Sequence, residues 1–129
     1  MSNETGESFI YFSNTDANVG TATISPGLKN NNHNDKQKII IEKLDNLYNL
    51  KNQSIFIKID VEGHEDRLIE GSLNIIKNNK VLMYLETLND NLLSKLNKMN
   101  FKIYYPIFKE GKFEFVNKQV SHNVILKNF

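Results

Sequence analysis

The sequence predicts an α/β fold with a mixed sheet, whose parallel core finishes in a C-terminal antiparallel hairpin. Two observations carry that expectation. Apolar, β-favouring runs at 55–61 and 81–86 alternate with segments of helical periodicity at 64–79 and 89–99, an order that gives parallel strands joined by right-handed crossovers. Towards the end, two shorter runs are separated by Lys109-Glu110-Gly111, which is hairpin chemistry. The 129 residues are the length of one domain, and 40% hydrophobic with 24% charged residues is the balance of an ordinary globular chain.

The first forty residues are the least regular. Phe9-Ile10-Tyr11-Phe12 and the weaker Thr21-Ala22-Thr23-Ile24 read as strands. Asn14-Thr15-Asp16-Ala17-Asn18 joins them as a loop, because Asn and Asp bond their own backbone in turns. Ser25-Pro26-Gly27 through Asn34-Asp35 reads as an exposed loop. Lys38 to Glu42 is a third strand, and Leu44 to Leu50 a short helical turn with Leu44, Leu47 and Tyr48 on one face.

The pattern sharpens from residue 54. Ile55-Phe56-Ile57-Lys58-Ile59-Asp60-Val61 is the kind of run expected of a strand buried on both faces. Gly63 ends it. His64 to Asn79 sets Leu68, Ile69, Leu73 and Ile76 at helical spacing. Val81 to Glu86 is a second buried-type strand. Asn89 or Asp90 caps a further helix with Leu92, Leu93, Leu96 and Met99 as its apolar stripe. Lys102–Phe108, Lys112–Asn117 and His122–Lys127 complete the sheet. No internal repeat or heptad pattern is present.

Composition excludes several function classes. A formal charge of +1, with Arg67 the only arginine, gives no reason to expect a nucleic acid or an anionic membrane as partner. With no cysteine, disulfides, thiol catalysis and Cys-based metal sites are ruled out. No apolar run reaches the roughly 18–20 residues that span a bilayer. Met1 to Ser13 has neither the basic start nor the apolar core of a signal peptide, so a cytoplasmic location is expected.

The residues that could carry chemistry cluster at Lys58-Ile59-Asp60-Val61-Glu62-Gly63-His64-Glu65. Side chains alternate along a strand, so Lys58, Asp60 and Glu62 share one face. Charge on an otherwise apolar strand is costly unless it is paired or lines a cleft. Open α/β sheets bind ligands at the carboxyl ends of their strands, where Asp60, Glu62 and Gly63 fall, and Glu86 occupies the same place on the next strand. The plainer alternative is that Lys58 and Asp60 form a local pair while Glu65 and Asp66 favour a helix N-terminus. Asp60, Glu62, His64 and Glu65 have the ligand types of a metal site, but strand-to-turn geometry argues against their convergence, and no metal is expected. His64 reads as a surface residue at a helix start. His33, in a polar loop, and His122, near a strand start, have no evident partner. Gly20 reads as a turn glycine, since no strong helix pattern follows it.

The run Phe56-Ile57-Lys58-Ile59-Asp60-Val61-Glu62-Gly63-His64-Glu65, with Gly71 at the matching spacing, resembles the signature of FkbM-family methyltransferases. Lys43-Leu44-Asp45-Asn46-Leu47 is similar to that family's leucine-aspartate element, Leu82 to Glu86 to its following strand, and His122-Asn123-Val124-Ile125 to its closing strand. The likeness spans roughly residues 9 to 127 and is specific from Lys43 to Glu86. It implies a class I methyltransferase fold, S-adenosylmethionine as cofactor, and a sugar or secondary-metabolite hydroxyl as acceptor. Lys58, Asp60, Glu62 and Glu86 would be the catalytic group, and Asp60, Gly63, His64 and Glu65 would line the cofactor.

The family opens on a strand and a glycine-rich turn that these residues lack. The resemblance therefore implies a partial Rossmann-like fold in a single truncated domain, with irregular strands and loop over 1–37 and the α/β core over 38–129. Such a chain should bind cofactor weakly or not at all and be inactive by itself. The alternative is a non-catalytic remnant serving as a binding or assembly module. By the resemblance, the strand that would pair with Ile55–Val61 is lost, which leaves an apolar, proline-free edge and predicts a homodimer through it, the alternative being that Phe9–Phe12 or Lys38–Glu42 folds back to cover it.

Overall fold

The computed structural model describes residues 1–13, 22–24, 35–61, 63–86, 88–119 and 122–129. The chain forms two compact units. The first comprises Met1–Asn49 and Val61–Leu73, the second Leu50–Asp60 and Asn74–Phe129.

In the first unit, strand β1 (Gly6–Phe12) pairs antiparallel with β2 (Asp35–Ile41), in a register running from Gly6 opposite Ile41 to Phe12 opposite Asp35. Of the weaker strand predicted at 21–24, the described part is a single bridge from Thr23 to Tyr11, closed by hydrogen bonds of 2.8 and 3.0 Å. The predicted joining loop at 14–18, Gly20 and His33 lie outside the described residues. Helix α1 spans only Leu44–Leu47. Its expected apolar face is largely open, with Leu47 and Tyr48 half exposed. In this unit Leu68 and Ile69 of helix α2 (Glu65–Glu70) and Ile41 of β2 are buried, as are the polar Ser2, His64 and Ser72.

The helix predicted over 64–79 is divided. α2 ends at Glu70, and α3 begins at Leu73 and runs to Asn78. The division falls at Gly71, where a methyl group would stand 1.8 Å from the carbonyl oxygen of Ser2. The N-terminal segment passes so close that no side chain fits there. Beyond the division the apolar phase shifts: Ile75 and Ile76 are buried, whereas Leu73, assigned to the core face by its spacing, is 44% exposed.

The second unit holds a five-stranded mixed sheet. Its strands are β3 (Ser54–Ile59), β4 (Lys80–Leu85), β5 (Lys102–Lys109), β6 (Lys112–Val116) and β7 (Val124–Lys127), in the order β3-β4-β7-β5-β6. β3 and β4 are parallel, in a register from Ser54 opposite Lys80 to Ile59 opposite Leu85, and the remaining pairs are antiparallel. The parallel core and C-terminal hairpin of the sequence reading are both present. The hairpin turns on Glu110 (φ 51°) and Gly111 (φ 77°), the two left-handed residues a tight hairpin needs. Helix α4 (Asp90–Lys98) is capped by Asn89, whose Oδ1 accepts from Leu92 N at 2.8 Å.

Val81, Met83, Leu85, Val124 and Leu126 alternate onto one face and are fully buried, as are Leu92 and Leu96 of α4. The opposite face is different. Phe56 is 64% exposed, and Leu82, Tyr84 and Ile125 are half-buried. The expectation that the 55–61 strand is buried on both faces is thus corrected. β3 ends the sheet, and its apolar run reflects an edge strand with one covered face.

Candidate functional site

Asp60 and Glu86 directly follow the last register pair of the parallel strands, Ile59 opposite Leu85. Two carboxylates therefore stand side by side at the carboxyl rim of β3 and β4. Lys58 lies two residues before Asp60 and on the same face by strand alternation. Its Nζ donates to Asp60 Oδ2 at 2.9 Å and lies 3.5 Å from Glu86 Oε1. All three side chains are about half exposed, at 55, 45 and 45%. The hydrogen bond to Asp60 holds the Lys58 ammonium above the ordinary lysine range, with the charges of Asp60 and Glu86 adding to it against desolvation. The result is an exposed ammonium that neutralises part of two neighbouring carboxylates. Glu62, the third acid expected on this face, lies outside the described residues.

No family model, curated protein or solved structure matches this chain.

Gly63, His64 and Glu65 belong to the first unit, Asp60 to the second. Gly63 has φ 73°, a left-handed turn that suits glycine, and its N–H donates to Glu65 Oε1 at 3.4 Å. Glu65 is buried in the first turn of α2. The reading of His64 as a surface residue is corrected, since it is only 4% exposed. Its backbone N–H donates to Val61 O at 2.8 Å, and its ring Nε2 lies 3.1 Å from Ser2 Oγ. The Ser2 hydroxyl donates to Asn3 Oδ1 (3.3 Å), and Asn3 Nδ2 donates to Glu70 Oε2 (2.8 Å). Which of the two groups donates across the Nε2–Oγ contact depends on the imidazole tautomer, and Nδ1 is left buried without a partner among the described residues. Burial is the main reason the ring's pKa is pulled below the ordinary histidine value, and the nearby charge of Arg67 adds to it. His64 is a neutral, enclosed group.

Ser2 is the partner that sequence reasoning missed. A serine in a polar N-terminal stretch carries no local sign that it will be fully buried beside a histidine 62 positions away. Among the described residues no group of three or more His, Asp or Glu side chains is arranged to hold a metal ion, and no helix is long and apolar enough to cross a membrane. A shallow apolar depression of about 270 Å3 lies on the sheet's open face, lined by Leu82, Tyr104, Phe115, Ile125 and Lys127, and shares no residue with the carboxylate rim.

Proposed function

We propose that these residues are the later part of a Rossmann-like class I methyltransferase domain of the FkbM type, which methylates a hydroxyl group of a sugar or secondary metabolite. The observation that carries this reading is the pair Asp60 and Glu86 on neighbouring parallel strands, at the rim where open α/β sheets receive ligands. It is reinforced by the Phe56–Glu65 run, which resembles the family signature.

The rim fits part of what the cofactor would need. S-adenosylmethionine, when bound, supplies an electrophilic methyl group on a positively charged sulfur. Half-exposed carboxylates are favourable neighbours for such a cation and for ribose or acceptor hydroxyls, which donate hydrogen bonds to them. Either acid, once released from Lys58, is placed to take the proton of an acceptor hydroxyl. Lys58 would then hold the second carboxylate in position. His64, with its ring enclosed beside Ser2, would reach a cofactor only by leaving that contact. The 129 residues contain no Asp-x-Gly-x-x-x-Gly turn, and that turn and its helix supply most of the holding surface in Rossmann-like sites. Binding by this chain alone is therefore weak.

The test is an NMR titration of the isotopically labelled chain with S-adenosylmethionine up to millimolar concentration. Amide shifts should concentrate at Lys58, Asp60 and Glu86 and disappear in the Asp60→Asn, Glu86→Gln double variant. A titration that leaves the rim unmoved would remove the support for this reading. One observation favours a second reading, a non-catalytic binding or assembly module. Lys58 bridges both carboxylates, as a purely structural cluster would, and an unmoved rim would select it.

A further inference from the structure

We propose that β3 pairs antiparallel with β3 of a second copy of this chain, about a twofold axis at Phe56, so that two five-stranded sheets join into one. This inference rests on the open edge of the sheet and is independent of the methyl-transfer reading.

The direction of the backbone groups sets the geometry. Lys80 N donates to Gln53 O at 2.8 Å, so Gln53 and every second residue after it, namely Ile55, Ile57 and Ile59, direct their main-chain groups at β4. Ser54, Phe56 and Lys58 direct theirs the other way. β4 is the one strand neighbouring β3 among the described residues. Three N–H and three C=O groups thus line an edge with no main-chain partner there among the described residues. That edge contains no proline or bulge; its one charged residue, Lys58, is the single device of the kind that blunts a free edge, and its charge is shared with Asp60 and Glu86. The opposite edge of the sheet, β6, is shorter and carries exposed Lys112 and Glu114.

The edge matches itself in one register. Outward-directed residues must face outward-directed residues, so allowed registers differ by steps of two. Placing Phe56 opposite Phe56 of the second copy matches Ser54 with Lys58, Phe56 with Phe56 and Lys58 with Ser54. All three outward residues of each chain are then used. A shift by two in one direction sets Lys58 against Asn52, whose φ of 58° takes it out of the strand. A shift in the other direction leaves Ser54 beyond the partner's strand end. In the matched register the two exposed aromatic rings meet at the axis, and Ile55 faces Ile57 in the close, non-hydrogen-bonded pairs. Lys58 faces a serine and keeps its charge balanced by its own Asp60 and Glu86. An isologous contact of this kind closes at two copies. A strand from an unrelated protein would satisfy the same backbone groups, but would not supply this side-chain match by construction.

Sedimentation equilibrium of the intact chain between about 1 and 100 μM, a range bracketing a micromolar dissociation constant, is the first measurement. The expected result is a species of twice the 14.9 kDa chain mass. A monomer throughout would overturn the proposal. Phe56→Pro removes an outward-directed N–H and no bond to β4, so the fold is retained while dissociation strengthens at least about tenfold. Phe56→Lys, which sets like charges at the axis, gives the same result without proline. A dimer that persists in folded Phe56→Lys refutes the interface. Because the chain has no cysteine of its own, register is read by oxidation. Phe56→Cys should cross-link to a covalent dimer, whereas Ser54→Cys should not, since paired Cα atoms must approach within about 7 Å. Equal cross-linking at both positions would refute the register.

Discussion

Two polar clusters flank the same short stretch of sequence and are built on opposite principles. Lys58, Asp60 and Glu86 are half exposed, and each carboxylate shares the one ammonium while water solvates the rest. His64 and Ser2 are buried, joined by one hydrogen bond of 3.1 Å, with the second ring nitrogen unsatisfied. The first cluster has alternatives if a member is lost; the second has none. Sequence reasoning weighed the charged cluster as the unusual feature, yet charge in contact with water is inexpensive. The neutral imidazole is the group whose surroundings are most constrained, because an unmade bond to a buried polar atom is not replaced by water.

The largest effect is expected where the N-terminal segment crosses α2. Gly71→Ala puts a methyl group where the Ser2 carbonyl oxygen now lies, at 1.8 Å. Because the obstacle is main chain, the segment itself must move. It would surrender the bond from Ser2 N to Glu42 O (2.9 Å), the Asn3–Glu70 bond and the His64 contact together. Denaturant titration should show a loss of about 3 kcal/mol, at the upper end for overpacking. A loss below about 1 kcal/mol would mean the segment is not held against Gly71.

Ser2→Ala is next, at about 1–3 kcal/mol, since it leaves both His64 nitrogens buried and unpaired. The sharper version is the double variant Ser2→Ala, His64→Leu. Removing both polar partners should recover most of the loss, and a double variant as unstable as the sum of its parts would show that the hydrogen bond is not the source.

The same burial fixes a pH dependence. The unfolded chain takes up a proton on His64 near the ordinary value of about 6.5, whereas the folded chain resists because its pKa is depressed. Below that ordinary value the unfolded state binds more protons, so stability falls as pH drops, until the depressed folded value is passed. Above it this residue contributes no slope. Arg67 and the amino terminus deepen the depression, while Asp66 and Glu4 oppose it. Unfolding at pH 7.5 and in steps below 6.5 should show a slope of at most about 1.4 kcal/mol per pH unit, abolished by His64→Asn. An unchanged slope in that variant would assign the effect elsewhere.

How far the sequence could be read follows from the range of each cause. The second unit was legible, because its strands, the Asn89 cap and the Glu110-Gly111 turn are set by neighbours within a few residues. The side-by-side placement of Asp60 and Glu86 was legible for the same reason, being a matter of strand ends and alternation. The close approach at Gly71 was not, since the carbonyl that leaves no room for a side chain there belongs to Ser2, some seventy positions earlier. Nor was the exposure of Phe56. An apolar run reads alike whether both faces are covered or one, so the resemblance pointed to a free edge at β3 while the open face that carries Phe56 had no local sign.

The smallest effect is expected from Asp60→Asn and Glu86→Gln, and it sharpens the comparison most. Each leaves Lys58 with one remaining carboxylate, at 2.9 Å in one variant and 3.5 Å in the other. Side chains this exposed gain little from pairing, because water and salt screen the attraction and ordering a lysine offsets much of it. Either substitution should change unfolding free energy by less than about 1 kcal/mol, and added salt should shrink the difference further. Removing one member of a buried ion pair would instead cost about 3–5 kcal/mol. A loss of that size, insensitive to salt, would mean the rim is enclosed and the charges serve the fold. A small, salt-sensitive loss leaves both carboxylates open to a ligand, and the titration with S-adenosylmethionine then reads a rim whose charges are not needed to hold the sheet together.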